Sequence, residues 1–147
     1  MSYVDSNLLP GEQVTFRTHL SLVIFTVPLA LAVLALAFYL IGPGTRPVGH
    51  LFLLGALAAG AVKYFNYATS EFAVTNKRII IKVGFLKRRT LEMQVQKVET
   101  VAVNQGIGAR ILDYGDILVT GTGGTKEAFR HVSAPSKLRH AVQAASV

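Results

Sequence analysis

Six basic residues fall between positions 77 and 89: Lys77, Arg78, Lys82, Lys87, Arg88 and Arg89, with no acid among them. Clusters of this kind recognise anions such as lipid headgroups, nucleic acid or an acidic protein surface. Lys82, Lys87, Arg88 and Arg89 flank Gly84-Phe85, so cations surround a short turn with an apolar tip. That pattern predicts low-specificity contact with anionic headgroups or an acidic protein, with Phe85 entering the interface. Other groups with chemical potential lack the right company. Gly121-Thr122-Gly123-Gly124-Thr125 is followed by Lys126-Glu127-Ala128-Phe129 rather than by a helix opening on Lys and Ser/Thr. It therefore reads as a glycine hairpin and not a phosphate loop. Asp113 and Asp116 flank Tyr114-Gly115, where Asp bonds its own backbone, and Arg110 is expected to be the structural partner of Asp113. His19, His50, His131 and His140 are scattered, without metal-ligand spacing. No catalytic residue, metal or cofactor is expected, and the chain is not expected to be an enzyme. With no cysteine, disulfides, thiolate metal sites and cysteine nucleophiles are all excluded.

The elements that position the basic turn begin with two long apolar runs. Leu20–Ile41 contains no charge, and after Gly42-Pro43-Gly44-Thr45-Arg46-Pro47 the run Val48–Val62 contains none either. At about 1.5 Å rise per residue the first run is about 33 Å long, enough for a hydrocarbon core of roughly 30 Å. The second extends to Tyr67 if Lys63 snorkels while Tyr64 and Tyr67 sit at headgroup level. A transmembrane hairpin of 20–41 and 48–67 is therefore expected. It is not a cleaved leader, because Asp5, Glu12 and Arg17 precede the first run in place of a basic segment. Pro28 is expected to kink the first helix. Gly55 with Ala59, and Ala56 with Gly60, form small-residue ridges that admit a close helix, in the first instance the other arm of the hairpin.

Charge sets the orientation. The loop between the runs holds Arg46 alone, whereas Arg17, Lys63, Lys77 and Arg78 lie beyond their outer ends. The positive-inside bias places both termini and the soluble part in the cytoplasm, with Arg17, Lys63, Tyr64 and Tyr67 at the membrane interface.

From Ser70 onward the period changes. Glu71–Thr75, Arg78–Val83, Leu86–Met93, Val98–Asn104, Asp116–Thr120 and Lys126–Val132 read as strands. Ile107–Leu112 reads as a short helix, and Ala134–Ala145 as a terminal helix lined by Leu138, Ala141, Val142 and Ala145. The segment 1–19 is expected on the cytoplasmic side, and its alternation over Gln13–His19 predicts a strand that pairs with the later sheet.

The stretch Phe72 to Gly84 (FAVTNKRIIIKVG) resembles the opening of bacterial PH domains. Lys97-Val98-Glu99-Thr100-Val101, Gly106 through Gly115, and Gly121 through Thr125 look like the same family. Leu9-Pro10-Gly11-Glu12 ahead of two apolar helices is similar to the YdbS-like subgroup of membrane-anchored members. The resemblance implies an α+β fold: a transmembrane hairpin, then residues 70–147 as a PH-like small antiparallel barrel or split sheet capped by the terminal helix. It implies a bacterial inner-membrane protein, and little about activity.

The functional expectation is a cytoplasmic-face membrane adaptor or scaffold for protein or anionic-lipid contacts. The alternative is an accessory subunit of a larger membrane complex, docking through its transmembrane helices. Expected partners are membrane lipids and a membrane or cytoplasmic protein, with a homo-oligomer compatible. Nucleic acid is not expected, since the basic stretch lacks interleaved aromatics.

Overall fold

Neither Phe72–Thr75 nor Ile79–Ile81 alternates, and strands that read as unbroken apolar runs need cover on both faces. The computed structural model describes residues 3–85 and 88–146, and these two runs are fully buried in it. In chain order the elements are α1 (Tyr3–Ser6), β1 (Val14–Thr18), α2 (Thr26–Ile41), α3 (Arg46–Thr69), β2 (Glu71–Thr75), β3 (Arg78–Val83) and β4 (Arg89–Gln94). They continue as β5 (Val98–Asn104), α4 (Ile107–Ile111), β6 (Tyr114–Gly121), β7 (Lys126–Ser133) and α5 (Pro135–Ala145). The chain divides into two compact units. One joins the segment up to Ser21 with everything from Thr69 onward; the other is Leu22–Ala68.

The first unit holds two antiparallel sheets, ordered β1-β2-β3-β4 and β5-β6-β7. Phe72 and Phe129, one from each sheet, meet edge to face with ring centroids 5.9 Å apart. α5 packs against β1 and β2 of one sheet and β5 and β6 of the other, burying Leu138 and Val142. This is an α+β, PH-like arrangement. The opposite face of the four-stranded sheet is covered by the N-terminal segment: Val4 is buried with Ala73 and Ile80, and Tyr3, Leu8 and Val14 pack around them. Residues before the apolar helices are therefore part of the β unit itself.

β1 pairs antiparallel with β2, Arg17 opposite Ala73 and Thr18 opposite Phe72. The chain then stitches one sheet to the other. Ser133 N–H donates to the His19 carbonyl at 2.9 Å, Ser21 N–H donates to the His131 carbonyl at 2.7 Å, and Leu20 bridges Val132. So the chain leaves the β unit at Ser21, resumes it at Ser70, and connects two neighbouring strands through forty-odd residues of helix.

In the second unit, Leu22–Ile41 (20 residues) and Pro43–Thr69 (27 residues) are long and apolar enough to cross a membrane. The expected helix from Leu20 starts later than predicted. Leu20 is held in its bridge, Leu22–Phe25 forms a 3-10 turn, and the α-helix opens at Thr26. Pro28, expected to kink the helix from within, is the third residue of α2. There the missing N–H breaks no bond of the α-ladder, because the first N–H groups of a helix have no partner inside it.

Candidate functional site

The basic turn joins β3 to β4, with Lys82 opposite Thr90 and Val83 opposite Arg89. Leu86 and Lys87 lie outside the described residues. Gly84 N–H donates to Ser70 Oγ at 3.3 Å, and Glu71 pairs with Lys82. The tip therefore sits at the end of the sheet where the chain returns from the helices. Phe85 and Arg88 are exposed there. The two cations within the strands are engaged elsewhere. Lys82 Nζ lies 4.5 Å from the centroid of the Tyr3 ring, which α1 carries across the sheet. Arg89 forms an ion pair with Glu127 and reaches over the Phe129 ring at 5.7 Å. Of the predicted contact residues among those described, Phe85, Arg88 and Arg89 are exposed, with the Arg89 guanidinium paired to Glu127, while half-buried Lys82 serves a contact within the unit.

Two further cations of the basic stretch also contact the N-terminal segment, Lys77 at the surface and Arg78 from a largely buried position. Asn76 and Gln13 exchange hydrogen bonds, Asn76 N–H to the Gln13 carbonyl at 3.1 Å and Gln13 N–H to Asn76 Oδ1 at 3.0 Å. This fixes the Asn76-Lys77 turn beside the N-terminal segment, where Lys77 Nζ donates to the Pro10 carbonyl at 3.3 Å. Arg78 Nε donates to Glu12 Oε1 at 2.9 Å, its Nη2 to Glu12 Oε2 at 3.1 Å, and its Nη1 to Glu92 Oε2 at 2.7 Å. Thr75 Oγ1 adds a bond to Glu12 Oε1 at 2.7 Å, and Leu9 N–H one to Oε2 at 2.8 Å. Burial pushes the Glu12 carboxyl up, but the Arg78, Leu9 and Thr75 hydrogen bonds outweigh it and bring the pKa from 4.5 down to about 2. Sequence reasoning grouped Arg78 with an anion-binding patch and did not find this cluster. The pairing of β1 with β2 was the signal, since Val14 opposite Thr75 brings Glu12 to the Asn76-Lys77 turn.

Arg17, expected at the membrane interface, lies in β1 and forms an ion pair with Asp5, which holds its already high pKa higher still. In α3, Lys63 is half-buried and Tyr64 exposed, and the Tyr67 ring meets Phe25 at 6.0 Å. Of the small-residue ridges, Ala56 is buried, Gly60 faces Pro28, Ala59 is half-buried and Gly55 is exposed beside Leu31. The closest approach is at Gly49, which the ridge reading missed. A methyl group there would stand 3.3 Å from the Ala35 carbonyl oxygen and from the Tyr39 ring. Nearby, the Tyr39 hydroxyl and His50 Nδ1 are 2.6 Å apart, and Phe38 stacks on Phe52 at 5.4 Å. The two helices thus meet through small residues, closest at Gly49, and through aromatic pairs at both ends.

Gly121–Thr125 is a hairpin between β6 and β7, with Gly123 and Gly124 at positive φ. The expected pairing of Arg110 with Asp113 is absent from the ion pairs among the described residues. Asp113 is in the left-handed region and its carbonyl accepts from Ala134 N–H at 2.8 Å, while Asp116 Oδ1 accepts from His131 N–H at 3.0 Å. Both residues therefore organise backbone at the start of β6. Among the described residues no group of three or more His, Asp or Glu gathers to hold a metal ion.

Compared with known proteins, residues 19–146 match the family model described as bacterial PH domain. The match takes in both apolar helices and everything from β2 to α5, and starts just after β1. No curated protein and no solved structure matches the chain.

Proposed function

We propose, since the chain belongs to the bacterial PH domain family, that it is a two-span integral membrane protein holding a PH-like β unit against the cytoplasmic face as an adaptor. One observation carries this: the apolar helices are inserted between two strands that are hydrogen-bonded neighbours. Both flanks of the insertion must then lie on one side of any bilayer the helices enter, so the helices cross as a pair. The charge bias supports the cytoplasm of a bacterial inner membrane as that side. The Leu9-Pro10-Gly11-Glu12 segment supports the YdbS-like subgroup. Tethering raises the effective concentration of the β unit at the surface. Its contact face is the β3–β4 tip, where Phe85 and Arg88 stand beside the point of return at Ser70 and meet anionic headgroups or an acidic protein. We assign it no catalytic role. A subunit docking through its helix ridges is the weaker reading, because Ala56 and Gly60 are already engaged inside the hairpin.

Two experiments test this. After alkaline carbonate washing the full chain should stay in the membrane pellet, and a reporter fused after Val147 should be active on the cytoplasmic side. Release into the supernatant, or a reporter active only outside, overturns the anchor. Flotation of the β unit on vesicles, with residues 22–68 replaced by a short linker, tests the contact face. Preference for anionic over neutral vesicles should be lost on Phe85→Ala with Arg88→Glu. Equal binding to both vesicle types, or no loss in the double variant, removes anionic headgroups as the partner of the tip and leaves the acidic protein.

A further inference from the structure

In most surface helices the large apolar side chains face the protein and the small ones face water. α4 is the reverse. Its Ala109 is buried, while Ile107 is 86 % exposed, Ile111 79 % and the following Leu112 62 %. Among the described residues of the β unit the exposed large hydrophobics are these three, Leu9 and Phe85, so most of them fall within six consecutive positions. A concentration of that kind on an otherwise well-buried unit marks a contact surface.

The position of α4 says what it contacts. Gly108 and Ala109 share a cleft with Tyr114, Asp116 and His131. His131 stacks on Tyr114 at 6.1 Å, donates its N–H to Asp116, and offers its carbonyl to Ser21 N–H at 2.7 Å. Ser21 is the last residue before the apolar helices begin at Leu22. Within the β unit, His131 thus links the cleft under α4 to Ser21, where the chain leaves the unit. The helix carries Arg110 and no acid. An apolar ledge with one cation, beside the point where the chain passes into an apolar segment, matches the boundary between headgroups and acyl chains.

We propose that α4 is a third membrane contact: Ile107, Ile111 and Leu112 enter the headgroup–acyl boundary of the bilayer that the helical hairpin crosses, with Arg110 at phosphate level. This rests on the two-span reading above and adds a second footing for the β unit, apart from the β3–β4 tip.

The chain has no cysteine, so single labels are clean. Full-length Ile111→Cys, Ile107→Cys, Thr122→Cys and Leu34→Cys are each labelled with an environment-sensitive fluorophore. They are then reconstituted into vesicles of phosphatidylcholine and phosphatidylglycerol. Labels at 107 and 111 should emit blue-shifted, be quenched by nitroxide-bearing lipids and resist aqueous acrylamide. The label at 122, on the β6–β7 hairpin, should respond to acrylamide alone. Lipid quenching at 34 with free acrylamide access at 107 and 111 overturns the inference and leaves the anchor standing. Acrylamide access at 34 removes the anchor and this inference with it. Labels at 107 and 111 shielded from both quenchers mean a protein covers α4, which also overturns the lipid assignment.

Discussion

The two units use the same residue types in opposite places. In the β unit, Phe72, Ile79, Ile80, Ile81 and Leu138 have almost no exposed surface. In the helical unit, Leu40 is 77 % exposed and Leu51 72 %, while Ala35, Gly49 and Ala56 occupy the seam. Burying one Leu or Ile side chain is worth about 1.5–3 kcal/mol, so water would be a poor solvent for the second arrangement and a good one for the first. The contrast teaches that hydrophobicity alone does not locate a core. What distinguishes the units is which sizes meet: large against large between the sheets, and between the helices small residues such as Gly49 and Gly60 set against Tyr39 and Pro28, with aromatic pairs such as Phe38 and Phe52 beside them. α4 is the place where the β unit adopts the habit of the helices.

The comparison breaks most visibly if the units are divided at the wrong point. A chain beginning at Ser70 loses β1 and α1, uncovering Ala73, Ile80 and the hydrogen-bonding edge of β2. It should aggregate or stay unfolded, as followed by circular dichroism and gel filtration. Joining Ser21 to Thr69 by a short linker should instead give a soluble, cooperatively unfolding protein.

Next in size is the buried ion pair of the β unit. Glu12→Gln leaves Arg78 with Glu92 and the Asn7 carbonyl only and should cost about 3 kcal/mol in chemical denaturation, in the range for severing a buried pair. It should also change the acid profile. The folded pKa of Glu12 lies below its ordinary value, so between pH 4.5 and about 2 the unfolded chain binds the extra proton. Stability from this group is therefore complete above pH 4.5 and is lost as pH falls toward 2, a slope the Gln variant lacks.

Smaller again is Gly49→Leu in the helical seam. It should overpack the contact with Ala35 and Tyr39 by about 1–3 kcal/mol and loosen the hairpin, read as a lower transfer efficiency between labels on α2 and α3. The melting of the linker-joined β unit, which lacks this residue, is the control. The least effect is a gain. Ala134 caps α5 in the left-handed region at φ 48° and ψ 51°. Ala134→Gly should relieve about 1 kcal/mol, raising the thermal midpoint by several degrees.

Much of the architecture is legible along the chain. The bounds of β3 and β5 and the Leu138–Val142 face of α5 follow from local period, and the strand over Val14–Thr18 from its alternation. In β5 the alternation holds from Thr100, and a register shift between Val98 and Thr100 interrupts it. What local pattern does not carry is partnership. Lys82, Arg78 and Arg89 look alike in a charge count. Tyr3, Glu12 and Glu127, which engage them, come from segments distant in sequence, so their roles depend on the sheet order. The outward face of α4 is hidden for a similar reason: the sequence shows a short helix over Ile107–Leu112, and only its packing on β6 shows that Ala109 is the buried side.

The insertion between β1 and β2 also governs the timing of assembly. Thr18 leaves the ribosome well before its partner Phe72. At roughly 5–20 residues per second that is an interval of about 3–10 s. Throughout it β1 has no neighbour, and its first opportunity to pair comes only after both apolar helices have been made. Maturation of the sheet is thereby made to wait for synthesis of the helices, so a folded β unit certifies that both apolar helices have already been made.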